Sequence, residues 1–369
     1  MQLSSSPGLT ARFSRQVILP GFGTEAQHRL AAARVLVIGA GGLGSTVIPA
    51  LAAAGVGTIG IVDDDTVELS NLHRQHIHSV ADVGRGKAQS AAESVAAITP
   101  DTMVVVLARR LVSGNALELF ADYDLVIDGS DNFPTRYLAN DAATLSGIPL
   151  VWGAVAQYGG QAGVAWAERG PQYRDLFPAP PPPGSVLSCE VGGVLPTVCA
   201  TIGSIMATEA IKILTGIGTP LIGRVTTFDA LSGSFRELSY ERDPSAAPID
   251  HLIDYDLFCG LAPATGELSA QELATELETG VPLTLLDVRE PWEAEIASLP
   301  GAVLIPLGTL EGGLATMDTD APIVAYCHHG IRSVRALELL RAHGFTDARH
   351  LEGGIDAWSR LIDPTVARY

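Results

Sequence analysis

The chain has 369 residues, 47% of them apolar, and carries 41 acidic against 23 basic side chains for a formal net charge of −18. That length exceeds what one hydrophobic core ordinarily supports, so two domains are expected. The acid excess disfavours sequence-independent binding to nucleic acid or to an anionic membrane, both of which repel it. No uninterrupted apolar run reaches the ~18 residues of a membrane span. The opening MQLSSSPGLTARFSRQ holds no apolar signal core, and a cytoplasmic location is the expectation. Cys189, Cys199, Cys259 and Cys327 are scattered with no C-x-x-C pair. In a reducing compartment such cysteines are buried fillers or individual reactive thiols rather than a disulfide framework.

The first 240 residues alternate β-branched runs with alanine-rich segments, the pattern of βαβ units. It predicts strands at 35–38, 58–62, 103–107, 125–127 and 149–152, with helices at 42–54, 86–98, 114–121 and 134–146. The proline run LFPAPPPPGSV reads as an extended loop. A long helix is expected at about 194–215; its apolar stretch is broken by Pro196, Glu209 and Lys212, which marks a buried helix. Strands at 224–229 and 234–239 close this domain, placed at 1–241. Periodicity fades over 242–267, the expected linker. A shorter α/β pattern fills 268–369: a helix near 270–279, strands LTLLDV, AVLIP and PIVAYC, a helix over 332–343, and a last one after Gly353-Gly354.

VLVIGAGGLGS follows a buried strand and opens a helix, with Gly39, Gly41 and Gly44 in G-x-G-x-x-G and Asp63 ending the next strand. Glycines let the backbone approach phosphate oxygens, the helix N-terminus offers N–H groups to an anion, and the carboxylate reaches ribose hydroxyls. Taken alone, this favours NAD. The segment DDDTVELSNLHRQ and the start of the next helix add Asp65, Ser70, Asn71, Leu72, His73, Arg74, Gln75 and Lys87. IDGSDNFPTR adds Asp131 and Asn132 at a strand's carboxyl end, where open α/β sheets bind ligands. Hydride transfer needs no such cations at phosphate. Attack on an α-phosphate does, together with a carboxylate such as Asp131 to hold the Mg²⁺ that accompanies ATP. Any one of these cations alone is ordinarily a solvated surface charge; the set on one unit is not.

RFSRQ, GAGGLG, SNLHRQ, VGRGKA, SDNFPTRY and QYGGQAGV occur in the same order in the MoeB/ThiF branch of ubiquitin-like-protein activating enzymes, which residues 12–240 resemble. The resemblance implies a Rossmann-like nucleotide-binding domain with a mixed sheet. It also implies adenylation of the C-terminal Gly-Gly carboxylate of a ubiquitin-like sulfur-carrier protein by ATP and Mg²⁺. Carried over by motif, Gly42 and Asp63 contact nucleotide, Asn71, Arg74 and Lys87 meet phosphates, and Asp131 binds Mg²⁺. Arg15 corresponds to an arginine that enters the partner subunit's site, which implies a homodimer. Many relatives hold a zinc with two C-x-x-C pairs. Here those places are Gln172, Asp175, Ala246 and Ile249, which offer no sulfur or imidazole, so no zinc is expected. That departure matches a MoeZ-type branch. Cys189 falls where relatives have a cysteine proposed to form a transient acyl or disulfide link; a half-exposed thiol without chemistry is the alternative. Cys199 sits on the apolar helix and reads as core, and Cys259 is given no role.

Cys327, in YCHHGIRS, leaves a strand and precedes a helix, a setting in which backbone N–H groups and the helix dipole favour a thiolate; Arg332 adds a cation. A metal held by the consecutive Cys327, His328 and His329 is geometrically awkward, and solvated imidazoles are the ordinary role of loop histidines. LLDVREPWE, YCHHGIRS and HLEGGIDAW resemble the three motifs of a rhodanese domain over 268–369. The resemblance implies a smaller α/β domain with a persulfide on Cys327, Asp287 and Arg289 as scaffold, and a cysteine desulfurase or thiosulfate as sulfur donor. Together the two halves imply an adenylyltransferase and sulfurtransferase that makes a carrier thiocarboxylate. An NAD-dependent oxidoreductase with an accessory domain, and a silent scaffold for a ubiquitin-like partner, are the competing readings. Lys87 and Asp131 speak against the first; intact Arg74, Lys87, Asp131 and Cys327 speak against the second.

Overall fold

Each β-branched run of the first half is a strand, joined by helices that put apolar faces on both sides of one sheet. The computed structural model describes residues 11–181, 192–246, 248–260, 266–280, 282–314 and 317–369. It divides into two units, 1–260 and 261–369, each described by itself. In the first, β1 (Arg34–Ile38), β2 (Thr58–Val62), β3 (Met103–Leu107), β4 (Leu125–Asp128) and β5 (Leu150–Ala156) run parallel. β6 (Gly159–Ala165), β7 (Arg224–Asp229) and β8 (Ser234–Ser239) continue antiparallel, in the order β3-β2-β1-β4-β5-β6-β7-β8. Val35, Val37, Ile59, Ile61 and Ile127 face one core, with the helices Gly44–Ala54 and Pro196–Thr215. Leu36, Ile38, Val62, Val126 and Trp152 face another, with the helix Phe133–Ser146. This alternation is the period-2 pleat read directly from side chains. The strand order reverses between β1 and β4, the switch point at which parallel sheets open a crevice.

β6, GGQAGVA, was not among the expected strands, because glycine is depleted in strands. Its glycines serve packing: a methyl on Gly160 would meet Ile202 Cγ1 at 2.5 Å, and one on Gly163 would meet Trp152 Cζ2 at 2.8 Å. The helix Pro196–Thr215 is long and apolar enough to cross a membrane by length and composition. It is nevertheless a core helix, with Val198, Ile202, Met206 and Ala210 wholly buried in the first core. Its buried Glu209 accepts the Leu221 N–H at 2.8 Å and pairs with Lys212.

The linker expected over 242–267 requires correction, since most of it is docked on the first unit. The Arg242 guanidinium donates to the carbonyls of Ala167 and Gly170. The Asp243 N–H donates to Asp175 Oδ1 at 3.0 Å. Buried Tyr255 donates its hydroxyl to Asp141 Oδ2 at 2.7 Å, and Arg174 pairs with the same carboxylate through two hydrogen bonds. Single aromatic and charged anchors on a four-residue helix, Tyr255–Phe258, leave no periodic trace in sequence. Gln172 and Asp175, at two of the relatives' zinc-ligand places, form a capping box for the helix Tyr173–Leu176.

The second unit is a parallel sheet in the order β11-β10-β12-β13-β9. Its strands are β9 (Glu267–Leu268), β10 (Thr284–Asp287), β11 (Val303–Leu304), β12 (Ile323–Tyr326) and β13 (Ala348–Leu351). Along β12, Ile323 and Ala325 pack with the helix Ile331–Ala342, while Val324 and Tyr326 pack with Gly354–Leu361. β9, β13 and the helix Pro291–Ile296 were not expected; each is short and β13, ARHL, is half charged or polar.

Candidate functional site

The glycine loop leaves β1 at the switch point and is touched from three sides. Gly39, at φ +87°, packs on the end of β4: a methyl there would lie 3.2 Å from the Gly129 carbonyl. A methyl on Gly44 would lie 2.1 Å from the Gly39 carbonyl, so only glycine lets the helix Gly44–Ala54 start where it does. A methyl on Gly42 would meet Cys199 Sγ at 2.9 Å and Arg74 Cδ at 3.8 Å, and one on Gly41 would meet Gln75 Nε2 at 3.7 Å. Asp63, at the end of β2, accepts the Ala40 N–H at 2.7 Å and the Asp65 N–H at 2.9 Å. Burial raises the Asp63 carboxyl above its ordinary range, against the Lys87 cation and these donors. His78, buried and kept neutral by burial, donates Nε2–H to the Ala40 carbonyl at 3.0 Å and accepts from Ser90 Oγ.

Lys87, the first residue of the helix Lys87–Ile98, is not a solvated surface cation. It is only 7% exposed, and Nζ donates to Asp65 Oδ2 at 2.8 Å. The SNLHRQ turn is held by its own polar groups. Asn71 Oδ1 accepts the Glu68 N–H at 3.1 Å, and Ser70 Oγ donates to Glu68 Oε2 at 3.2 Å. His73 Nδ1 and Arg74 Nη1 donate to the Ser70 carbonyl. Leu72, between them, is half-buried. Gln75 is buried, and among the described residues its Oε1 has no partner; nor has buried Ser45 Oγ in the first turn after the glycine loop. Unsatisfied buried polar atoms beside a phosphate-type loop fit a polar ligand, since each is costly to leave unpaired.

At the end of β4, Asn132 caps the helix Phe133–Ser146, accepting the Thr135 N–H on its side-chain oxygen at 2.9 Å, while its amide Nδ2 is left to donate. Asp131, next to it, is exposed. The buried charges here are Asp128 and Arg136, unremarked in IDGSDNFPTR although both stand in it. Asp128 accepts Ser130 N–H and Oγ–H, and Arg136 Nε lies 3.5 Å from Asp128 Oδ2. Arg136 also donates to the Ser130 and Gly153 carbonyls, which fixes the strand end that presents Asp131. In RFSRQ, Phe13 is buried, and Gln16 donates to the Ala54 carbonyl at 2.9 Å. Arg15 between them is exposed on the helix Ser14–Val17.

In the second unit Cys327 lies at the end of β12, 1% exposed, with Sγ 3.8 Å from Ser333 Oγ. The helix Gly354–Leu361 shapes its loop. The Ile355 N–H donates to the Cys327 carbonyl at 2.9 Å and the Asp356 N–H to the His328 carbonyl at 3.1 Å. Within a trans peptide the N–H opposes the C=O, so the N–H groups of His328 and His329 face away from that helix. Gly330, at φ +93°, turns the chain into the helix Ile331–Ala342. A loop that presents backbone N–H groups at a helix start is the kind of backbone that suits an anion.

Three side-chain expectations change here. Arg332 is not a lone cation, because it grips Glu293 through two bonds of 2.5 and 2.6 Å, and Glu293 is 3% exposed. The Arg332 pair and N–H donors hold the Glu293 carboxyl below its ordinary range although burial opposes them. His328 is not freely solvated: its ring stacks on His329 at 3.8 Å and on Tyr369 at 4.2 Å, and burial pushes it down to about 4. Asp356 supplies the further metal donor that the neighbouring sequence lacks, within 4.8 Å of the two imidazoles. That carboxylate is already taken by Arg360 at 3.0 Å and Arg368 at 2.7 Å, and the imidazoles lie face to face. Asp287 and Arg289 form a wholly buried pair of 2.6 Å, joined by the Tyr326 hydroxyl. Cys199 is buried against the glycine loop. Cys259 is buried too, its thiol pushed up to about 11 by burial. Cys189 lies outside the described residues.

Fold and site thus define an α/β nucleotide-binding unit joined on one chain to a thiol-loop unit. The first matches the ThiF family over residues 13–248, the second the rhodanese-like domain over 269–361. The chain is 50% identical over 372 residues to the probable adenylyltransferase/sulfurtransferase MoeZ of Mycobacterium tuberculosis, covering 97% of this chain and 95% of that protein. It is 51% identical over 261 residues to the sulfur carrier protein adenylyltransferase of Thermus thermophilus, covering 68% of this chain and 96% of that one. The fold of the first unit also occurs in E. coli MccB, at a TM-score of 0.59 and 19% identity, over 64% of this chain and 74% of MccB. The chain belongs to the ThiF family and carries a rhodanese-like domain after it.

Proposed function

We propose that this chain adenylates the C-terminal carboxylate of a ubiquitin-like sulfur-carrier protein and then replaces the activated oxygen with sulfur carried on Cys327. The supporting observation is that both reaction loops stand on one chain: a glycine loop bordered by Asp63, Arg74, Gln75 and the end of β4, and a thiol on a strand-to-helix loop. The carrier carboxylate attacks the α-phosphorus of ATP, the α–β phosphoanhydride bond breaks, and pyrophosphate leaves. Arg74 and Lys87 offset charge at the phosphates, the Gly42 backbone approaches them, and Asp63 receives the ribose. Asp131 would hold Mg²⁺, which would supply neutralisation of phosphate charge. A persulfide on Cys327, loaded by a cysteine desulfurase or thiosulfate, attacks the acyl carbon as AMP leaves. A thiol then attacks the Cys327 sulfur of the resulting acyl disulfide, its S–S bond breaks, and the thiocarboxylate leaves. The new disulfide on Cys327 is reduced by an external dithiol; Cys189 is the candidate attacking thiol within the chain.

Asp131→Ala should abolish ATP–pyrophosphate exchange and leave thiosulfate:cyanide sulfur transfer intact, and Cys327→Ser should do the reverse. Loss of both activities in both variants would refute the division of labour. We also propose a homodimer in which Arg15, exposed and with no hydrogen bond or ion pair among the described residues, completes the partner subunit's nucleotide site. Mixing Arg15→Ala with Lys87→Ala protein should then restore exchange activity that neither has alone; no restoration counts against shared sites.

A further inference from the structure

The segment 363–369 lies across the Cys327 loop, and nothing in the reaction above uses it. It is anchored three times: Ser359 Oγ donates to the Val366 carbonyl at 2.7 Å, Val366 packs into the second unit's core, and Arg368 pairs with Asp356. These anchors deliver Tyr369 to the loop. Its hydroxyl accepts from Arg289 Nη1 at 2.7 Å and donates to Glu293 Oε1 at 3.1 Å. Its ring lies nearly parallel to His328, at 4.2 Å and 15°, with Trp292 edge-on at 6.2 Å. A continuous polar chain therefore runs Asp287–Arg289–Tyr369–Glu293–Arg332, from the buried scaffold pair to the cation of the thiol loop.

We propose that Tyr369 is a positioning residue for the sulfur-transfer loop, holding Arg332 through Glu293 with its hydroxyl and clamping His328 with its ring. The inference rests on the sulfur-transfer reading for its purpose, but its geometry stands on contacts alone. Arg332 is five residues from Cys327 on a long, flexible stem, and a bidentate carboxylate directs its guanidinium only as firmly as that carboxylate is itself held. The Glu293 carboxylate is held at Oε2 by the Glu290 N–H at 2.9 Å and at Oε1 by the Tyr369 hydroxyl. It is the hydroxyl that links the carboxylate to the scaffold pair, whose Arg289 otherwise reaches only the Glu293 backbone carbonyl at 3.5 Å. The stack acts separately. His328 is faced by His329 on the loop, Glu293 and Arg332 from the flanking helices, and Asp356 with Arg360 and Arg368 from the helix behind and the strap. With Tyr369 seated, the ring is shielded from water and stays neutral beside Cys327.

The test uses the full chain and four proteins: wild type, Tyr369→Phe, Tyr369→Ala and, to assign the signal, His328→Gln. Histidine labelled with ¹³C at Cε1 reports the His328 titration by NMR, and thiosulfate:cyanide transfer reports kcat and KM. Tyr369→Phe should keep the His328 midpoint near its low value of about 4 and lose kcat by about threefold, from the hydroxyl alone. Tyr369→Ala should move that midpoint towards the ordinary ~6.5. It should also lower kcat by about tenfold or more with KM for thiosulfate held. An unmoved His328 midpoint in Tyr369→Ala overturns the proposal, whether or not activity falls. If the wild type transfers no sulfur while Tyr369→Ala shifts His328, the sulfur-transfer reading fails and the clamp stands.

Discussion

Gly354 offers a direct test of whether the Cys327 loop works through its backbone shape. The residue sits at φ +60°, and a methyl there would lie 2.4 Å from both the Cys327 and His328 carbonyl oxygens. Alanine carries two costs. The left-handed conformation is unfavourable by about 1–2 kcal/mol for a residue with a Cβ. The contacts are about 1 Å too short, so the loop carbonyls must retreat by that amount. They are the carbonyls held by Ile355 and Asp356, so the retreat rotates the peptide units that follow Cys327 and His328. A displacement of ~1 Å at a reacting centre costs about 10²-fold in rate. Gly354→Ala should therefore lose about 10²-fold in thiosulfate:cyanide transfer while ATP–pyrophosphate exchange, carried by the other unit, is unchanged. Gly353→Ala is the control. It has a similar φ of +67°, but its methyl would press on Ala357 at 2.7 Å in its own helix. It should lose no more than about fivefold, having the strain without the push on the loop. Transfer by Gly354→Ala within about threefold of wild type would refute the reasoning, as would equal losses in the two variants.

Two further outcomes follow from the first unit. Gly42→Ala should weaken ATP binding by about tenfold, because its methyl would lie 2.9 Å from Cys199 Sγ, and adding Cys199→Ala should recover most of that loss; isothermal titration of single and double variants decides it, and additive losses count against the contact. Asp141→Ala should destabilise the first unit by about 3–5 kcal/mol in urea unfolding, since it strands Arg174 and the Tyr255 hydroxyl around a carboxylate only 2% exposed. A change under about 1 kcal/mol would mean that the docked segment does not depend on this node.

The strands of the parallel sheet were legible because each is a β-branched run between alanine-rich helices, and β1, β2 and β4 end where the site had to open. β6 was not legible, because its glycines encode the close approach of Ile202 and Trp152 rather than any strand preference. Lys87 was legible as a motif residue, whereas its burial against Asp65 was not: the two stand 22 positions apart and meet only when β2 and the next helix pack. Asn132 was legible as a neighbour of Asp131, whereas its second role as the cap of the following helix was not. Around Cys327 the motif marked the thiol and Arg332. Glu293 stands last in LLDVREPWE but was given no role, and Tyr369 lies outside the quoted motifs; they are 39 and 37 positions from Arg332 in opposite directions along the chain.

Local order in the chain determined the two units, their parallel strands and the two loops where chemistry is expected, because glycine spacing, apolar period and strand-to-helix junctions are short-range properties. Tertiary structure alone decided which charges are neutralised, by which partners, and which histidine is kept from water. Those depend on side chains far apart in sequence converging in a low-dielectric interior, where pairing and burial outweigh a residue's intrinsic character.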